Sequence, residues 1–304
     1  RFSGMGQLIL VGAAGFLACL VDGALGMGFG PTASSILLGA GLSPSAASTT
    51  VNLAKVVTGL ASAVSHWRFG NVDRKLVLQL ALPGMAGAVI GVTVLANVDG
   101  DTLRPILAGL LLVVAVRILI RFSRQAPVSA ADARRDEAEH GGEPIPEWNS
   151  RGTEVAAAAG GVTNGLIGAW GPVVTPFLLH RGLPPRFAIG SVNTAEVAVA
   201  VVASGSLLAS IGGGDLDVGI VLAMLIGGVL AAPLAAYVIR FLPARGMGVA
   251  VAGLLMTTNL RELFSWADVG PARWVGYAAV AGLCLACGIV PVRRVRRAEA
   301  AAAA

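Results

Sequence analysis

Long apolar runs dominate this chain. Stretches of about 20 predominantly apolar residues, enough to cross a bilayer, recur at 46–66, 76–96, 103–121, 187–211, 217–240, 246–264 and 273–291. In lipid every backbone polar group must be satisfied from within, which leaves only helices and closed barrels. Runs this long and continuous are helices, so an all-α polytopic membrane protein is expected. Charged residues make up 13% of the sequence, about half the share usual in soluble domains. The 41 glycines fit the same picture, because small residues let membrane helices approach closely. The formal charge of +5 is therefore no nucleic-acid signal. Basic residues sit in short loops and at the C-terminus, where they orient a membrane protein.

Two apolar segments, 7–41 and 152–181, break the pattern. Gly26, Gly28, Gly30 and Pro31 interrupt the first; Gly168, Gly171 and Pro172 interrupt the second. Each reads as a pair of half-helices forming a re-entrant hairpin. The run from Leu8 to Val21 resembles a signal-peptide core, but it recurs later in the chain and is read as part of the first hairpin. The hydrophilic stretch 122–151 reads as a flexible cytoplasmic linker.

The chain repeats itself. Gly30-Pro31 aligns with Gly171-Pro172, Gly41-Leu42 with Gly182-Leu183, Pro44 with Pro185, and Thr50-Val51-Asn52 with Ser191-Val192-Asn193. Both Pro-to-Asn intervals are 21 residues. Downstream, Gly84, Gly109 and Arg117 match Gly228, Gly253 and Arg261. Four units follow: a first repeat at 1–121, the linker at 122–151, a second repeat at 152–265, and a C-terminal transmembrane helix with a basic tail at 266–304.

Loop charges give the orientation. Loops holding Arg68, Arg74 and Lys75, Arg121 and Arg124, His180, Arg181 and Arg186, Arg240 and Arg245, and the C-terminal Arg293, Arg294, Arg296 and Arg297 are expected in the cytoplasm. Those holding Asp99 and Asp101, Asp215 and Asp217, and Asp268 are expected on the other side. The run 76–96 then travels outward and its counterpart 217–240 inward, so the repeats are inverted. Each repeat is one broken hairpin plus three spans. Inverted repeats with broken helices are characteristic of secondary transporters, whose sites lie near the midplane where half-helix N-termini point at anions.

The candidate site residues follow from the repeat. The breaks, with Gly28, Gly30 and Pro31 on one side and Gly171 and Pro172 on the other, offer free backbone N–H groups as an anion cradle. The alternative is that these glycines only permit tight packing. Asn52 and Asn193, at equivalent positions, either bond the anion or brace the broken helices, and are expected near each other. Thr50 and Ser191 add hydroxyls. Lys55 and Glu196 each lie 24 residues after the repeat's proline and one helical turn beyond its Asn. Ionisable residues inside a membrane are functional candidates by default. Lys55 is read as the source of positive charge and Glu196 as the coupling group, with a structural ion pair as the alternative. Asp22, aligned with Asn164, either caps the break or accepts a proton. No Walker, HExxH, metal-spaced CxxC or GxSxG motif occurs, so no enzyme, cofactor or metal is expected. Cys284 and Cys287 read as packing residues.

The stretch Val21-Asp22-Gly23 followed by Gly26-Met27-Gly28-Phe29-Gly30 resembles the first repeat of the TauE/SafE family of sulfite exporters. The stretch from Asn164 through Gly171 and Pro176 to Pro185 and Asn193 resembles the second. The resemblance implies export of sulfite or small organosulfonates across the cytoplasmic membrane, driven by an ion gradient. The expected partners are the anion and the bilayer, and the reading allows a homo-oligomer. An anion channel and a non-transporting accessory subunit are the alternatives.

Overall fold

The computed structural model describes residues 4–25, 28–124, 148–211, 217–238 and 244–302. Most of the expected linker, together with Gly26, Asp215 and Arg240, lies outside the described residues. Those described form helices joined by short connections, with no strand among them. In order these are α1 (Gly4–Leu25), α2 (Phe29–Gly39), α3 (Pro44–Arg68), α4 (Arg74–Asn97), α5 (Gly100–Arg124), α6 (Thr153–Ile167), α7 (Gly171–His180), α8 (Pro185–Ile211), α9 (Val218–Val238), α10 (Ala244–Trp266) and α11 (Arg273–Ala302). Local sequence sets several starts. The Ser43 hydroxyl accepts from the Ala46 N–H ahead of Pro44, and the Asp73 carboxylate accepts from the Lys75 and Leu76 N–H groups.

Glycine builds the two main seams, where α4 lies along α6 and α1 along α9. A Cβ on Gly161 would fall on the Gly84 carbonyl oxygen, and one on Gly87 on that of Ala158. In the other seam, a Cβ on Gly227 would fall on the Gly12 carbonyl and one on Gly15 on that of Met224. Both pairs therefore meet backbone to backbone, each joining a helix from before residue 121 to one from after residue 152.

The remaining contacts also come in matched sets. Helix α4 touches α8 as α9 touches α3, and α1 touches α2 as α6 touches α7. Two helices meet their own counterparts, and both do so head to tail. Along α3 and α8, Ser62 meets Asn193, and Gly59 faces Val197. Along α5 and α10, Phe122 near the end of one packs on Gly248 near the start of the other. At the far end Asp101 and Thr102 lie with Leu263 and Trp266. Large apolar side chains are exposed at corresponding positions: Leu78 and Leu82 on α4, Leu222 and Ile226 on α9. Such faces suit lipid rather than water.

Among the described residues, four segments are long and apolar enough to cross a membrane: Gly4–Asp22, Arg74–Asn97, Gly100–Ser123 and Phe187–Ser210. The protein is thus a multi-pass membrane protein. The first of these corrects the sequence reading, which placed two short arms in 7–41. Helix α1, with 22 residues, rises about 33 Å, a full bilayer core, while α2 has only 11. Helix α3 has the length, with 25 residues, but not the composition. Its Ser48, Thr49, Thr50, Asn52 and Lys55 are buried against other helices, where tertiary contacts replace the need for an apolar surface.

Several connections that carry basic residues lie close to one another. The segment 69–73 rests on the first turns of α8, where the Asp73 N–H donates to Ser191 Oγ at 3.0 Å. The Asn149 N–H donates to the Arg181 carbonyl at 3.3 Å. The guanidinium of Arg74 sits 4.8 Å from the Trp67 ring centre, and that of Arg181 sits 5.2 Å from that of Phe177. Elsewhere, Arg104 donates to the carbonyls of Gly41 and Leu42 near Asp99 and Asp101.

The seams give a direct test. Gly161→Ala and Gly227→Ala each force a methyl onto a backbone carbonyl and should destabilise by about 1–3 kcal/mol or more. Gly109→Ala, with open space at its Cβ, should be neutral or stabilising. Thermal unfolding of the detergent-purified variants measures the contrast.

Candidate functional site

A broken helix inside a membrane leaves orphan backbone groups at both sides of the break. In the second repeat α6 ends at Gly168, whose φ of 66° is left-handed, a conformation glycine adopts without strain. Its N–H returns to the Asn164 carbonyl at 2.8 Å. The other terminal carbonyls of α6 are taken by the first repeat. Ser48 donates to Gly165 O and Ser34 to Ile167 O, both at 2.7 Å. Asn52 Nδ2 donates to Asn164 O at 3.3 Å, and Lys55 donates to Gly168 O.

The two breaks touch. A Cβ on Gly30 would fall on the Gly168 carbonyl oxygen, so only glycine fits there. Beside this contact lies Lys55, buried within α3. An ammonium has three protons, and all three are engaged: by Gly168 O, by Asn164 Oδ1 at 3.3 Å, and by Glu196 Oε1 in an ion pair. Asn164 in turn donates to Asn52 Oδ1 at 2.7 Å. The pair that the sequence left open is therefore formed. On the other side of the contact, the Asp22 carboxylate accepts the Phe29 N–H at 3.2 Å, at the positive end of α2.

These groups enclose a cavity of about 10 Å³ lined by Asp22, Gly28, Lys55, Gly168, Asn193 and Glu196, with Pro31 and Pro172 at its edge. That is at the threshold for one water molecule. Both Gly-rich motifs of the sequence thus converge on one point. Residues 11–261 match the family model described as sulfite exporter TauE/SafE.

The chain belongs to the TauE/SafE family. It is also 39% identical over 277 residues to the probable membrane transporter protein YtnM of Bacillus subtilis (strain 168), covering 91% of this chain and 87% of that protein. No solved structure matches it. The TauE/SafE match ends at 261, before α11 begins.

The structure brings most of the expected residues of this TauE/SafE protein together. Asp22, Gly28, Gly30, Pro31, Lys55, Gly171, Pro172, Asn193 and Glu196 all line the cavity. Three do not, and their hydrogen bonds say why. Thr50 Oγ1 donates to Ala46 O in its own helix at 2.8 Å. Ser191 Oγ is occupied by the Asp73 N–H. Asn52 is spent on Ser48 and Asn164, so it braces the break. Nor do the two repeat-related amides meet: Asn193 Nδ2 donates to Ser62 Oγ at 3.2 Å. Sequence reasoning placed Gly168 in the second break but missed Asn164 as a part of the site. The alignment of Asn164 with Asp22 was the available signal.

Removing one partner of a buried ion pair leaves an uncompensated charge, at a cost of about 3–5 kcal/mol. Lys55→Met and Glu196→Leu should each lower the unfolding temperature sharply, and the double variant should recover much of the loss. Lack of recovery would mean that the bonds of Lys55 to Asn164 and Gly168, rather than to Glu196, hold the centre. Gly30→Ala should destabilise too, by driving the two breaks apart.

Proposed function

We propose that this protein is a secondary transporter that exports a small anion, sulfite or a small organosulfonate, across the cytoplasmic membrane at the expense of an ion gradient. Its site lies near the midplane between two inverted repeats, 1–121 and 152–265. The head-to-tail meetings of α3 with α8 and of α5 with α10 support the inversion. The gathering of Arg74 and Arg181 near one set of connections supports a cytoplasmic placement of that end.

The observation that carries the reading is that each anion-attracting group already holds one of the protein's own carboxylates. Lys55 holds Glu196, and the positive end of α2 holds Asp22. An oxyanion offers the same chemistry and replaces them. The anion and the two carboxylates thus compete for the same positive groups, which makes Glu196 and Asp22 the coupling groups. The cavity is far too small for the anion as it stands, which describes a closed state between two openings. That favours alternating access over an open channel.

Flux of radiolabelled sulfite into proteoliposomes, with and without an imposed pH gradient, tests this. Sulfite flux should change when the gradient is imposed. Lys55→Ala should cut the flux by at least about tenfold, equivalent to about 1.4 kcal/mol. Glu196→Gln should leave flux that no longer responds to the gradient. If folded protein moves neither sulfite, small sulfonates nor thiosulfate under any gradient, the reading fails.

A further inference from the structure

Helix α3 carries more polarity than the site uses. Beyond Lys55, the face that looks toward α8 continues through Thr58, Ser62 and His66. At about 100° per residue, all three lie within about 60° of the Lys55 direction. The opposite face carries Val57, Leu60 and Val64, about half exposed and suited to lipid. So the polar stripe does not face the bilayer. It runs inside the protein, from the centre toward the end that carries Arg68 and Arg74.

The stripe joins the cavity directly. Asn193 lines the cavity, and its amide donates to Ser62 Oγ at 3.2 Å, leaving the Ser62 proton available. Thr58, Ser62 and His66 are each only partly buried. Within the ion pair the Glu196 side chain is 19% exposed against 7% for Lys55.

The second repeat lacks this stripe. The positions of α8 that correspond to Thr58, Ser62 and His66 are Val199, Ala203 and Leu207. All three are apolar and fully buried. Because α3 and α8 run head to tail, these residues lie on the opposite side of the Lys55–Glu196 pair. The symmetry of the fold is thus broken in chemistry. On one side of the centre α3 presents partly buried polar side chains; on the other α8 presents buried apolar ones at the matching positions.

We propose that Thr58, Ser62 and His66 of α3, with Asn193 of α8, line a hydrated vestibule that leads from the end bearing Arg68 and Arg74 to Lys55, and that Val199, Ala203 and Leu207 form the plug closing the other exit. The proposal rests on the transporter reading for its purpose: the vestibule is the route by which the anion meets Lys55. Thr58 Oγ1 donates to Ala54 O at 3.0 Å, so the Ser62 hydroxyl and the Asn193 amide are the donors left for an oxyanion shedding part of its water, and the basic residues at the mouth attract it. The charged or titratable groups along this route are His66 within the vestibule, Lys55, Glu196 and Asp22 at its floor, and Arg68, Arg74 and Lys75 at its mouth.

Cysteine accessibility tests it. In protein with Cys19, Cys284 and Cys287 changed to Ser, single variants Thr58→Cys, Ser62→Cys, Val199→Cys and Ala203→Cys are exposed to a membrane-impermeant thiol reagent in proteoliposomes. Arg68→Cys and Asp101→Cys, both exposed, report which side the reagent reaches. Ser62→Cys and Thr58→Cys should label from the Arg68 side, at least about tenfold faster than Ala203→Cys and Val199→Cys from either side. Labelling of Ser62→Cys only from the Asp101 side, or not at all while Arg68→Cys reacts, overturns the proposal. So does labelling of Ala203→Cys as fast as Ser62→Cys. His66→Cys and Leu207→Cys replace any variant that fails size-exclusion chromatography. Anion flux is measured separately on the cysteine-free protein, so failure of transport and failure of the vestibule are read independently.

Discussion

The structure depends on how it satisfies the backbone at a helix break where water is scarce. The end of α6 frees a row of carbonyls, and the first repeat supplies a donor for nearly each one: Ser48, Ser34, Asn52 and Lys55. The polarity of α3 follows from this duty. A helix that would read as a poor membrane span is polar because a neighbour's broken backbone needs it. The duty also places a lysine at the centre of the protein, which then requires a counter-charge, and Glu196 supplies it. An ion pair in such a place is weak evidence for stability. In the transport reading proposed above, its worth lies in holding a charge ready where an anion can compete for it.

The two breaks are alike in sequence and unlike in bonding. In the second repeat the residue four before the break glycine is Asn164, which accepts from Lys55 and donates to Asn52. In the first, Asp22 accepts a backbone N–H of α2. An amide can donate and accept, while a carboxylate only accepts. The exchange of one for the other turns a brace into a movable anion. With Glu196, this gives the centre two negative groups against one positive.

Much of this was legible in the sequence. Helical membrane architecture followed from run length and backbone satisfaction, and nine cavity residues followed from the repeat and the Gly-Pro breaks. The length of α1 was not legible, because the Gly-rich break drew attention to the middle of 7–41 and away from the uninterrupted run before it. Thr50, Asn52 and Ser191 were misplaced for a different reason. Repeat equivalence says which positions correspond, but not which face of a helix each occupies, nor whether a hydroxyl is already satisfied by its own backbone, as Thr50 is by Ala46. The family resemblance reached further than the residues alone, and the match over 11–261 bears it out.

The glycine seams have a mechanical consequence. A helix pair separated by side chains can slide, because side chains change rotamer as ridges pass. Between α4 and α6, and between α1 and α9, nothing stands between the backbones to yield. Each pair behaves as one stiff beam, and each beam is made from both halves of the chain. Any rearrangement that opens the centre must then carry those beams whole. The displacement falls on the joints between them, at α3 against α8, where Lys55 and Glu196 are the latch.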